Sequence, residues 1–178
     1  IRLPQGELDM LGAEAVALTH GGASAFLTGA AIAHIVSLLV KDTSLPFRNA
    51  ALDAARAVKE QFGHRYSQAF EVAGQITLAA SMAQDRTTPP AAVMERLQCE
   101  NAAQILGGVV YAVLSSGGNL DTALITAVNH SGRSGAVASL VGAFLGLILG
   151  ESALPEFYIE CLEPAETLRE LADDMFQG

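Results

Sequence analysis

Apolar positions along this chain recur at intervals of three and four, and nowhere do they alternate long enough to make a strand. Pro4 and Gly6 sit in an opening loop, and the Ala/Leu-rich stretch Glu7 to Leu18 predicts a first helix. It ends at Thr19-His20-Gly21-Gly22, where two glycines let the chain turn. Ser24 to Val40 predicts a long apolar helix, with Ala25, Gly29 and Ala33 spaced four apart. His34 falls among Ile32, Ile35 and Val36 and reads as a core histidine whose ring is satisfied internally. After a break at Lys41–Pro46, Arg48–Phe62 places Ala51, Leu52, Ala55, Val58 and Phe62 on one face. Arg56, Lys59 and Glu60 form its solvated side, and Gly63 closes it at the C′ position. Tyr66–Gln84 repeats the pattern with Phe70, Ala73, Ile76, Ala80 and Ala83.

Asp85–Pro90 reads as a loop, with Thr88 as N-cap and Pro89 at N1 of a short helix over Ala91–Leu97. Asn101 to Ser116 predicts a helix that stops at Gly117-Gly118. Asn119 then caps another through Val128, with Asp121 in its first turn to complement the dipole. Pro155 begins a short helix, and Ala165 to Phe176 puts Leu168, Leu171, Ala172 and Met175 on one face, away from its acids.

The most organised stretch is Asn129–Gly150. A polar loop, Asn129 to Gly135, runs into an apolar segment beginning at Ala136. The segment is apolar on all sides, which predicts a central, buried helix. Gly142, Gly146 and Gly150 at intervals of four predict a stripe where neighbouring helices approach closely. Its apolar run is about fifteen residues, short of the roughly twenty needed to span a bilayer. The loop ahead of it presents polar groups at a helix N-terminus, a place where backbone N–H groups can hold an anion.

Together these elements predict an all-α protein of about eight helices with short connections. A chain of 178 residues is most economically one domain spanning 1–178. Its net charge of −9, with no basic run, argues against nucleic acid as a partner, and the short apolar run within Asn129–Gly150 argues against a membrane. Cys99 and Cys161 are isolated, with neither disulfide nor zinc spacing, which fits a reducing cytoplasm. The chain opens on Ile rather than Met and reads as a processed piece or part of a larger protein.

Two segments carry a family resemblance. Ala17–Gly22 (ALTHGG) resembles the ALTHGHP or THGDP segment of the ADP-ribosylglycohydrolase family, which includes the dinitrogenase-reductase-activating glycohydrolases. Asn129–Gly150 resembles that family's NHxGDSDSTGAIAGNxxGAxxG segment, and the likeness continues through Leu154-Pro155 to Leu168–Met175. It covers most of this chain but only the C-terminal half of the family's usual domain. The resemblance implies a truncated orthogonal multi-helix bundle. It also implies an ancestry in the metal-dependent removal of ADP-ribose from modified proteins, with two magnesium ions near the ligand.

The departures change the expected chemistry. Where the family has the two Asp of GDSD, this chain has Arg133 and Gly135, and Ala136 and Val137 replace the hydroxyl residues that follow. Hard divalent cations need oxygen ligands. Two unit charges at 4 Å repel by about 4 kcal/mol at an effective dielectric near 20, and a divalent ion doubles that. No bound metal is therefore expected. Gln98-Cys99-Glu100-Asn101 stands where the family often has a glycine-rich, GEGW-like loop near its ligand. The family's TDDT-type and GDxxGxxxE motifs are not found in these residues.

The candidate ligand-binding residues are Thr19, His20 and Gly21, with His130, Ser131, Gly132, Arg133 and Ser134; no catalytic residue emerges. Thr19 and His20 read as ligand contacts or as a helix-ending turn that satisfies its own backbone. His130 and Ser131 could orient a phosphate or cap the helix. Arg133 suits a carboxylate or phosphate, or an internal pair with an acid such as Glu100 or Asp121. Asp173 and Asp174 are neighbours on a helix, do not face each other, and read as surface charges. ADP-ribose or another small anion is the ligand implied. The functional alternatives are a metal-free binding or structural relative, the C-terminal part of an active glycohydrolase completed by an N-terminal segment, and a self-associating helical protein. In the last, a homo-oligomer or a partner protein covers the surface left by the missing half.

Overall fold

The computed structural model describes residues 3–160 and 162–177, with Gln177 described by its backbone alone; Cys161 lies outside them. They form ten α-helices and one 3-10 turn, with no strand among the described residues. Two compact units divide the chain, residues 1–148 and 149–178.

The first unit contains α1 (Gln5–Ala17), α2 (Ala23–Lys41), α3 (Phe47–Phe62), α4 (Gln68–Met82), α5 (Pro90–Leu97), α6 (Ala102–Ser115), α7 (Leu120–Val128) and nearly all of α8 (Ser134–Leu149). Its middle is α6, with nine of its fourteen residues buried. α6 packs on α2, α3, α4, α5 and α7. Such a helix needs room on more than one side, and paired glycines supply it. A Cβ on Gly107 would meet Gln75 of α4 at 3.3 Å, while one on Gly108 would lie 2.5 Å from the Cys99 sulfur.

α2 is the second buried element and packs on α1, α3, α4 and α6. Its approach to α1 is close: a Cβ on Gly29 would lie 2.7 Å from the Gly12 carbonyl oxygen. Of the small residues Ala25, Gly29 and Ala33, the last two therefore have their partner in Gly12. α2 is long and apolar enough to cross a membrane by length and composition, yet half of that window is buried inside the protein. It also buries His34 against two carboxylates. Both features belong to a core helix.

Several expectations are corrected. α8 is not central: only Val137, Val141, Phe144 and Leu145 are buried. It lies against the core through large side chains, with the Phe144 ring edge-on to Phe47 at 5.2 Å. Its glycine stripe does not mark a close approach, since a Cβ on Gly142 or Gly146 would meet nothing within 4 Å. Uniform apolarity had concealed which side faces inward. Gly150 instead ends the helix at φ 77°, a conformation glycine adopts freely. Thr88 does not cap α5; Pro89 is its N-cap, Pro90 its first residue, and the Thr88 hydroxyl donates to Asp85. α1 begins at Gln5, inside the expected opening loop. Gly63 keeps right-handed backbone angles, and Phe70 of α4 is 59% exposed, so the inward face is Ala69, Val72, Ala73, Ile76, Ala79 and Ala80. Asn119 caps α7 as expected, accepting from the Thr122 amide at 2.8 Å.

In the second unit, a 3-10 turn (Glu151–Ala153) precedes α9 (Glu156–Glu160) and α10 (Ala165–Gln177). Arg169 of α10 reaches the turn, with Nη2 2.6 Å from Glu151, and pairs within its own helix, with Nη1 2.9 Å from Glu166. Asp173 and Asp174 are exposed, as expected.

Candidate functional site

The loop before α8 is built from both of its neighbours. α7 ends at Val128, and its last carbonyls need donors. The Asn129 side-chain amide donates to the Ile125 carbonyl at 2.7 Å. His130 makes a second closure. Its Nδ1 receives the Gly132 amide at 3.1 Å, so Nε2 carries the proton and donates to the Ala127 carbonyl at 2.9 Å. His130 therefore finishes α7 rather than capping α8, and orients its ring by local backbone bonds.

Ser131 is claimed by an acid thirty-six residues away. Its amide and its hydroxyl donate to the two carboxylate oxygens of Glu95, at 2.8 and 2.6 Å. These bonds, hydroxyl first and amide second, hold the Glu95 carboxyl below its ordinary value. The pair of donors that an incoming anion would use is thus already facing an anion from α5. Sequence reading missed Glu95, because nothing local links it to Ser131.

Gly132 is needed here for its missing side chain. A Cβ would stand 2.2 Å from the Gln98 carbonyl oxygen. Arg133 is tied to the same loop: its amide donates to the Cys99 carbonyl and its Nε to the Glu100 carbonyl, both at 3.0 Å. Ser134 opens α8, its amide donating to the Gly132 carbonyl at 2.8 Å.

The partner loop, residues 98–101, has an unusual backbone. Gln98 lies at φ 64° and ψ −42°, and Cys99 at φ 53°. The Cys99 amide reaches back to the Leu97 carbonyl at 2.7 Å, which closes a three-residue turn around Gln98. Glycine would take these angles without strain. Asn101 ends the loop and caps α6 in a reciprocal box with Gln104. Cys99 is fully buried, and its thiol is pushed up to about 11 by burial, then by the charges of Glu95 and Glu100. It is no nucleophile.

Thr19 and His20 form the turn after α1. Both amides donate to the Val16 carbonyl, and the Thr19 hydroxyl lies 2.8 Å from His20 Nδ1. His20 also lines a depression of about 230 Å³ with Thr28 of α2, Ile105 of α6, and Ala136 and Leu140 of α8. The two segments that carry the family resemblance therefore meet there. Thr19, Gly21, His130, Ser131, Gly132, Arg133 and Ser134 do not line it. The site divides into an apolar depression at His20 and a locked pair of loops at Ser131 and Arg133. Among the described residues, no group of three or more His, Cys, Asp or Glu is placed to hold a metal ion.

No curated protein and no solved structure matches the chain. The family model described as ADP-ribosylglycohydrolase matches residues 5–178. With that match over nearly the whole sequence, and with the all-helical architecture, the chain belongs to the ADP-ribosylglycohydrolase family.

Proposed function

We propose that this chain is a family member that does not carry out metal-dependent hydrolysis on its own and acts as a binding or structural relative. The observation that carries the reading is Arg133, at the position where the family motif places a metal-ligand Asp, with its Nε held by the Glu100 carbonyl. Around it the donor set does not suit magnesium. Gly135 has no side chain, Ala136 offers a methyl, and Val137 is fully buried. A hard cation prefers several carboxylate or carbonyl oxygens, and hydrolysis of a glycosidic bond needs a positioned water with stabilisation of developing charge. The engagement of Ser131 by Glu95 supports the same reading, because an anionic ligand would have to displace a charged, two-point partner.

Titration calorimetry of the chain with magnesium and ADP-ribose tests this directly. No heat is expected from magnesium, and no ADP-ribose is expected to be released from a modified protein. The double variant Arg133→Asp/Gly135→Asp is expected not to recover metal binding in isolation. Magnesium binding by the unaltered chain, or release of ADP-ribose by it, would overturn the reading.

A further inference from the structure

A second cavity, of about 290 Å³, lies on α1, α2 and the end of α3, and shares no residue with the depression at His20. One wall is an aromatic corner: the Phe26 and Tyr66 rings meet edge-to-face with centroids 5.2 Å apart. The Arg65 guanidinium stands 5.3 Å from the centre of the Tyr66 ring. Phe62 of α3 also lines the cavity and is buried. Glu14 of α1 lines it too, bringing a charge opposite in sign to that of Arg65.

Glu14 and Arg65 do not pair with each other, and neither makes an ion pair or side-chain hydrogen bond elsewhere among the described residues. Opposite charges that border one aromatic-walled space without meeting are both available to a ligand. We propose that this cavity binds a small aromatic zwitterion, its ammonium on Glu14, its carboxylate on Arg65 and its ring against Phe26 and Tyr66. Charge-assisted hydrogen bonds to both charged groups set the orientation, and edge-to-face ring contact favours an aromatic over an aliphatic side chain.

L-phenylalanine is the probe, followed by calorimetry and by ligand-observed NMR. For about a dozen non-hydrogen atoms, a dissociation constant on the order of 1 mM is expected. Phenethylamine and 3-phenylpropionate, each lacking one charge, are expected to bind about tenfold more weakly. Glu14→Gln and Arg65→Gln are expected to weaken phenylalanine by a similar factor, with unchanged circular dichroism confirming that the fold survives. Phenylalanine binding that neither variant weakens would overturn the proposal, as would no binding at about ten times the expected constant. Adenosine monophosphate binding more tightly than phenylalanine, and depending on Arg65 but not Glu14, would replace the zwitterion by an organic anion and overturn it as well.

Discussion

His34 Nδ1 lies 2.8 Å from Asp9 Oδ2, with both side chains almost fully buried between α1 and α2. The other ring nitrogen, Nε2, lies 3.2 Å from Asp53 of α3. A ring with a carboxylate at each nitrogen donates from both, which makes it an imidazolium. Gln5 secures the far oxygen of Asp9 at 3.0 Å, and the Arg56 side chain bonds Asp53. Three helices are thereby joined at one charged ring. Removing one member of a buried pair leaves the other without compensation, at a cost of about 3–5 kcal/mol. His34→Ala and Asp9→Ala are each expected to lose on the order of 3 kcal/mol in urea denaturation. The double variant is expected to lose clearly less than the sum, and strict additivity would show that the two side chains do not act as a pair.

The same triad sets a pH dependence. Burial works against the charge on His34, but hydrogen bonds to Asp9 and Asp53, with their charges, outweigh it and raise the ring above its ordinary 6.5. A raised folded value means that this contribution is fully present below 6.5 and is lost as pH rises through the folded value. Asp53 runs the other way. The hydrogen bond from Arg56 chiefly, with that from His34, lowers it from 3.8, so its contribution is present above 3.8 and is lost as pH falls through the folded value. Stability from the triad is therefore expected to be greatest between these limits and to decline on the alkaline side of 6.5. Urea midpoints measured across this range check it. In His34→Gln the alkaline decline is expected to flatten, and an unchanged decline would assign it to other groups.

Glycine substitutions separate two stripes that look alike in sequence. A Cβ on Gly12 would lie 2.5 Å from the Ala33 Cβ and 2.8 Å from the Gly29 carbonyl oxygen. Gly12→Ala and Gly29→Ala are expected to cost about 1–3 kcal/mol by overpacking the α1–α2 contact. Gly142 and Gly146 meet nothing, so Gly142→Ala and Gly146→Ala are expected to stabilise α8 by up to about 1 kcal/mol each through helix propensity. Thermal melts of the four variants read the sign. Destabilisation at Gly142 would mean that another surface approaches that face in solution.

These comparisons show where the sequence was legible. Spacing at three and four located the helices, because α3 separates a buried Ala50, Ala54, Val58 and Phe62 from an exposed Arg56 and Glu60. Asn119 announced its helix through a local side-chain bond. α6 and α8 were harder, since both are apolar nearly all round, and composition says nothing about which of two such helices holds the centre. The candidate site was legible only where contacts are local. His130 bonds within three residues, whereas the bonds of Ser131 to Glu95 and of Arg133 to Glu100 span 36 and 33 residues. Asp9 and His34 are likewise 25 apart, so the satisfied ring could be expected but its partner could not be named.

The turn at Gln98 gives the site its sharpest energetic test. Non-glycine residues held at positive φ cost about 1–3 kcal/mol when the surroundings impose the angle. Here the surroundings are plain: the Gln98 carbonyl abuts Gly132, and the Cys99 carbonyl receives the Arg133 amide. Gln98 contributes one side-chain bond in return, accepting from Gln104 at 2.8 Å at an exposed position. An exposed neutral hydrogen bond is worth about 1 kcal/mol at most. Gln98→Gly should therefore relieve more than it removes, and a gain of about 0.5–1 kcal/mol is expected in urea denaturation. Gln98→Ala keeps the strain and loses the bond, so it is expected to destabilise. Opposite signs for the two variants would locate the strain in the backbone. A loss in both, equal in size, would show that the Gln104 bond matters more than the turn.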